Sequence, residues 1–227
     1  YRTKLKLDKE KSFAYATQLE EEQLVKSDRT SQQPRFSPDG KSIAFFEDRS
    51  TLRVLDIKSK AVRTVMDGKY VYSYSDGDIS FAWSPDSRWL LSSYIGVGGW
   101  NSPDVALVKA DGKGEIHNLT QSGYSDVGPR WVLGGKAMVF ESDRAGYRSH
   151  GSWGAERDVY IMFFDLDAYE KFRRNKEERE LAKNEVQEKD ENKKEKEEDK
   201  LKLGSAKKDK KDDVKALEFD LENCRDR

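Results

Sequence analysis

Pro34-Arg35-Phe36-Ser37-Pro38-Asp39-Gly40-Lys41-Ser42-Ile43-Ala44-Phe45 decides the fold, because the chain returns to it twice. Phe81-Ala82-Trp83-Ser84-Pro85-Asp86-Ser87-Arg88-Trp89-Leu90-Leu91 is a second copy. Pro129-Arg130-Trp131-Val132-Leu133-Gly134-Gly135-Lys136-Ala137-Met138-Val139-Phe140 is a third, with the turn altered. The aromatic anchors Phe36, Trp83 and Trp131 fall 47 and 48 residues apart. A period of about 40–50 residues with several strands each is the spacing of propeller blades.

Each copy has a readable physics. An aromatic residue ends one strand. In Ser-Pro-Asp-Gly the proline presets φ, the aspartate caps the turn, and glycine accepts a left-handed backbone. A mostly apolar strand follows, Ser42-Ile43-Ala44-Phe45-Phe46 in the first copy and Arg88-Trp89-Leu90-Leu91-Ser92 in the second. Third strands read Leu52-Arg53-Val54-Leu55-Asp56-Ile57, Asp104-Val105-Ala106-Leu107-Val108 and Asp158-Val159-Tyr160-Ile161-Met162-Phe163-Phe164. Outer strands are expected at Ala61-Val62-Arg63-Thr64-Val65 and Glu115-Ile116-His117-Asn118-Leu119-Thr120, giving three to four strands per repeat.

The predicted fold is therefore all-β: a partial β-propeller of antiparallel three- to four-stranded blades, with a charged helical or disordered insertion. Residues 1–30 are expected to supply strands of a preceding blade, with Thr3–Leu7 and Ser12–Ala16 as candidates. Residues 31–172 hold about three blades, 173–215 the charged insertion, and 216–227 the closing strand of the last blade. Three repeats are fewer than a closed ring needs, so some blades are expected to lie outside this chain.

Composition sharpens the division. The 227 residues carry 42 basic and 43 acidic side chains, 37% charged against 35% hydrophobic. Residues 170–215 alone hold roughly 32 of those charges, and the remainder is ordinary for a globular domain. The pattern predicts a short helix capped by Asp167 and docked to about Leu181, then a solvated stretch that Gly204-Ser205 interrupts.

The formal net charge is −1, with both signs interspersed, which argues against nucleic acid as a partner. No apolar run approaches the roughly 18–20 residues of a bilayer span. Tyr1-Arg2-Thr3-Lys4 is neither a methionine start nor a signal peptide, so the chain reads as a fragment or processed product. Cytoplasm and periplasm both remain open. Cys224 is the sole cysteine, and with only His117 and His150 it makes no usual zinc site. Neither a metal nor a cofactor is expected.

Several segments invite chemistry. Ser149-His150-Gly151-Ser152 places a hydroxyl beside an imidazole, but neighbours in sequence diverge in space, and no Gly-x-Ser-x-Gly elbow occurs. No catalytic residue is assigned. Arg148, Ser149, His150 and Trp153 are read as a loop anchor or a peptide-contacting loop. Tyr72 and Tyr74, within the aromatic and acidic run 70–78, are read as further contact candidates lining a channel. Ile95-Gly96-Val97-Gly98-Gly99-Trp100-Asn101 lacks the order of a phosphate cradle and reads as a mobile loop on one propeller face.

The Pro-x-aromatic-Ser-Pro-Asp-Gly-Lys repeats resemble those of TolB-like and tricorn-type propellers. Glu141-Ser142-Asp143-Arg144-Ala145-Gly146-Tyr147-Arg148-Ser149-His150-Gly151-Ser152-Trp153-Gly154 is more specific. With Asp158–Phe164 and Phe219-Asp220-Leu221-Glu222-Asn223-Cys224-Arg225-Asp226-Arg227, it resembles the first, six-bladed propeller of bacterial tricorn protease homologues. That resemblance implies a large serine endopeptidase whose catalytic residues lie far downstream, with none to carry over here. It implies a non-catalytic scaffold that gates and filters peptides for a proteolytic chamber. Its partners would be the remaining blades, the protease domains, peptide substrates and further copies of the chain. The alternative is a TolB-like or WD-repeat-type interaction module with no attached protease.

Overall fold

The computed structural model describes residues 1–6, 12–148, 154–184 and 215–226. Its body is three consecutive antiparallel sheets. The first is β3 (Ser31–Phe36), β4 (Ser42–Glu47), β5 (Thr51–Asp56) and β6 (Val62–Met66), paired in chain order. The second is β7 (Phe81–Trp83), β8 (Trp89–Tyr94), β9 (Asp104–Lys109) and β10 (His117–Asn118). The third is β11 (Asp126–Val132), β12 (Ala137–Ser142) and β13 (Asp158–Phe163). Each sheet is a meander laid beside the previous one, the arrangement of propeller blades.

The repeat survives at atomic detail. The anchors pair at one register, Phe36 with Ile43, Trp83 with Leu90 and Trp131 with Met138. Ser37 Oγ donates to Asp39 Oδ1 at 2.6 Å and accepts from Ser42 N at 2.9 Å. Ser84 repeats both bonds with Asp86 and Trp89, again at 2.6 and 2.9 Å. The left-handed turn residue is Gly40 in the first copy and Ser87, at φ 61°, in the second. The first and third sheets share a bulge before the anchor, between Gln32 and Arg35 and between Val127 and Arg130. Neighbouring sheets are joined by one repeated bond. The Trp83 indole N–H donates to the Arg35 carbonyl at 3.0 Å, and that of Trp131 to the Ala82 carbonyl at 3.2 Å. The chain is a partial β-propeller, and its blades face one another through matching residues.

Strands buried on both faces lose the usual alternation of apolar and polar residues. Leu90 of β8 packs toward the first sheet, with Ala44, Phe46, Leu52 and Val54. Leu91, its neighbour, packs toward the third, with Met138 and Phe140. Leu24 and Val25 cover the outer face of the first sheet against Ile43, Phe45 and Leu55.

Several local expectations need correction. At the N-terminus, β1 (Arg2–Leu5) pairs with β2 (Leu19–Glu22) in a two-stranded sheet. The candidate strand at Ser12–Ala16 instead holds a 3-10 turn at Phe13–Tyr15. The helix is α1 (Leu166–Arg173), capped by Asp165, whose side chain accepts from the Ala168 amide at 2.8 Å. Asp167 sits inside the first turn and pairs with Lys171. The helix does not run unbroken to Leu181. It stops at Arg174, and a second helix, α2 (176–184), begins behind Asn175. Asn175 and Glu178 cap each other reciprocally, side chain to amide at 2.9 and 2.8 Å, which starts a new helix rather than extending the old one.

The closing segment forms no ladder over 215–220. Leu217 donates its amide to Asp86 Oδ2 and packs where any side chain at Gly135 would lie, 2.6 Å from its added carbon. Phe219 inserts among Trp89, Trp131 and Phe164. The segment bridges the turns of two blades instead of extending one, and the Asp220 amide bonds back to the Phe164 carbonyl at 3.0 Å. The remainder of the charged insertion, 185–214, lies outside the described residues.

Candidate functional site

In a meander, the start of each first strand and the loop joining its second and third strands fall on one edge. That edge gathers the 71–80 connection from β6 to β7, the 95–103 loop after β8, and residues 143–148 and 154–157 between β12 and β13. Ile95 donates to the Tyr70 carbonyl at 2.7 Å and ties the first two together. Between them lies a cavity of about 430 Å³.

Buried carboxylates hold the loops in place. Asp104, fully buried, accepts from the Val97 amide at 2.8 Å, the Asn118 amide group at 2.8 Å, Thr120 Oγ1 and the Ser122 amide. Gly96 is required beside it, since an added Cβ would stand 2.0 Å from Asp104 Oδ2. Tyr94 sits above this carboxylate; burial, and then the Asp104 charge, push its phenol up to about 12. Asp78 orders the first loop by accepting from the Tyr74 and Ser75 amides and from Ser73 Oγ. Asp126 accepts from a single Arg144 nitrogen, Nη2, through both of its oxygens at 2.9 Å.

The rim is aromatic. Tyr72, Tyr74 and Trp100 are each about half exposed, with ring centroids 4.9, 5.1 and 6.0 Å apart. Behind them the wall is polar. Arg130 of β11 and Glu141 of β12 line the cavity, and neither side chain has an ion pair or hydrogen bond among the described residues. Among the described residues Arg157 bonds only Ser125 Oγ, at 3.5 Å. Ser93, 5% exposed, also lines the cavity, and its hydroxyl has no partner among the described residues. The arrangement can hold a ligand by ring contact and by charge-assisted hydrogen bonds. Among the described residues no hydroxyl bonds an imidazole, and His117, the one described histidine, belongs to β10.

Of the residues singled out from sequence, Tyr72 and Tyr74 come together at the cavity rim. Arg148 is committed elsewhere. It pairs with buried Asp143 at 3.3 Å, donates to Ser102 Oγ at 2.7 Å and stacks on Tyr124. Ser149, His150 and Trp153 lie outside the described residues. Sequence reasoning missed Ser93, Trp100, Arg130, Glu141 and Arg157 as a group. A tryptophan set among loop glycines was the one signal available. Among the described residues no group of three or more His, Cys, Asp or Glu is placed to hold a metal. No described helix is long and apolar enough to cross a membrane.

No family model matches the chain, and no curated protein matches it. Solved structures with a similar path include a putative TolB from Agrobacterium tumefaciens. It is 24% identical, covers 63% of this chain and 48% of its own, and has a TM-score of 0.41. A putative 6-phosphogluconolactonase from Bacteroides uniformis is 14% identical over 60% of this chain and 45% of its own, with a TM-score of 0.35. An oligogalacturonate lyase from Vibrio parahaemolyticus is 11% identical over 64% and 53%, with a TM-score of 0.31. The chain spans about half the length of each. The propeller assignment rests on the repeated registers and inter-blade bonds of the chain itself.

Proposed function

We propose that this chain is a non-catalytic β-propeller segment that holds extended polypeptide at its loop edge, as scaffold and peptide gate of a tricorn-like serine protease. One observation carries the binding role. Three half-exposed rings stand over a cavity walled in part by Arg130 and Glu141, whose side chains have no hydrogen bond or ion pair among the described residues. Aromatic residues beside a guanidinium group are the composition of binding hot spots. The attachment to a protease is supported by the 141–154 motif and its flanks. In this reading the remaining blades pack on the two outer sheet faces, where Phe36 and Val159 stand exposed.

The test is binding of an unfolded polypeptide, reduced and carboxymethylated casein, to the purified chain. Trp100 fluorescence and anisotropy of labelled casein report it. Expected is saturable binding near ~10 µM, lost in Trp100→Ala and in Tyr72→Ala, with no cleavage of the casein. Binding that survives both substitutions would remove the site from the proposal, and cleavage by the purified chain would end the non-catalytic reading.

A further inference from the structure

We infer that the cavity is selective for a polypeptide carrying an internal acidic side chain next to an apolar one. This rests on the polypeptide-binding reading above and names what that site prefers.

The argument starts from Ser93. The residue borders the cavity, and its hydroxyl, closed off from solvent in the free chain, lacks a partner among the described residues. A buried hydroxyl without a hydrogen bond is costly, and folded chains rarely keep one unless something else satisfies it. The neighbouring residue shows the contrast, since the Ser92 hydroxyl donates to the Ser93 carbonyl at 3.2 Å. The Ser93 hydroxyl is therefore an unused donor in the cavity wall, one that a ligand acceptor would satisfy on turning the side chain outward.

The charged groups indicate which acceptor. Asp78 also lines the cavity, but its two oxygens already serve two amides and a hydroxyl, so it has little capacity left. Besides Asp78, the charged side chains lining the cavity are two guanidinium groups, Arg130 and Arg157, the latter with a 3.5 Å bond to Ser125 Oγ, and one carboxylate, Glu141. Guanidinium forks match a carboxylate better than any neutral group. Glu141, acceptor-only, is left to receive backbone N–H groups of an extended segment. Tyr72, Tyr74 and Trp100 at the rim then offer ring faces to an apolar residue beside the acidic one.

The experiment uses the full 227-residue chain and a fluorescent heptapeptide blocked at both ends, with Glu-Phe at its centre. Matched peptides carry Gln-Phe or Lys-Phe, and a fourth has Gln-Phe with a free C-terminus. Expected is about tenfold tighter binding of the Glu peptide than of the Gln peptide. Arg130→Gln should abolish that preference while the Gln peptide keeps its affinity. Ser93→Ala should weaken the Glu peptide several-fold without lowering the melting temperature, because the substitution removes an unsatisfied group from the free protein. Equal binding of all blocked peptides would overturn the acidic preference and leave the polypeptide site standing. Tight binding of only the free C-terminus would also overturn it. No binding of any peptide alongside retained casein binding would place the casein contact elsewhere and defeat both readings of this cavity.

Discussion

Asp126 has a side chain with no solvent exposure, and its charge is met by Arg144 Nη2 and by Ser122 Oγ. Arg144 is placed by Ser142 Oγ and lies over the rings of Tyr160 and Phe140, at 4.8 and 5.4 Å. Removing the cation alone strands a buried carboxylate. Arg144→Met should therefore destabilise the chain by about 3–5 kcal/mol, whereas Asp126→Asn with Arg144→Met should recover most of that loss. Urea unfolding of the two variants decides it. A double variant no better than the single one would mean that the pair acts through ring packing rather than charge. The pair also shows what sequence can tell at this scale. The Asp and Arg residues at the turns stand in plain view in the sequence, but their partners do not. Asp143 precedes Arg144 in sequence, yet it pairs with Arg148, and Arg144 reaches back to the start of β11. Ser93 was hidden for a similar reason. On paper it is one more polar residue in a strand, and only the burial of its surroundings makes its hydroxyl conspicuous.

At the level of elements, the blades were legible because their chemistry is local. A turn that needs Pro, Asp and a left-handed residue fixes the register of the strands around it, and the anchor pairing repeats even where Leu133-Gly134-Gly135 replaces the turn. The segments that escaped sequence reading are those whose backbone partners are distant. Ala216–Leu221 has a strand's alternation, but Leu217, Phe219 and Leu221 are drawn onto the blade turns and the core between them. The β1–β2 hairpin is similar, since acidic β2 owes its place to cations on other elements. Lys60, in the turn after β5, bonds Glu22, and Arg2 bonds it from β1. These bonds, that of Lys60 first, hold the Glu22 carboxyl at about 2, below its ordinary 4.5. A depressed carboxylate stabilises above its unfolded value and loses that contribution as pH falls through its folded one. The docking of the hairpin should therefore be intact at neutral pH and fade between pH 4.5 and about 2. Hydrogen exchange of the β1 and β2 amides, corrected for intrinsic rates, should follow that window. Glu22→Gln should flatten the response; an unchanged profile in that variant would assign the effect to other carboxylates.

Across the whole molecule, the middle sheet is the element the others depend on. Leu90, Ala106 and Val108 supply the core shared with the first sheet, while Leu91, Val105 and Leu107 supply the core shared with the third. The outer sheets each touch only one of these cores. The loop-edge cavity draws its walls from the second and third sheets and from the connection into the second, so its geometry depends on the same packing. A propeller blade held on both faces should thus be more sensitive than one held on a single face. Leu107→Ala, at a fully buried position, should cost about 2–5 kcal/mol and loosen exchange protection in all three sheets together. Ile43→Ala, on the outer face of the first sheet, should loosen protection chiefly there, because that face meets Leu24 and Val25 rather than another blade. Mass-spectrometric hydrogen exchange on both variants distinguishes the two responses. If Leu107→Ala exposes the second sheet while the first and third keep their protection, the blades are folding independently. The cavity between them would then have to be understood as a contact of separately stable parts, with its aromatic rim positioned by the loops alone.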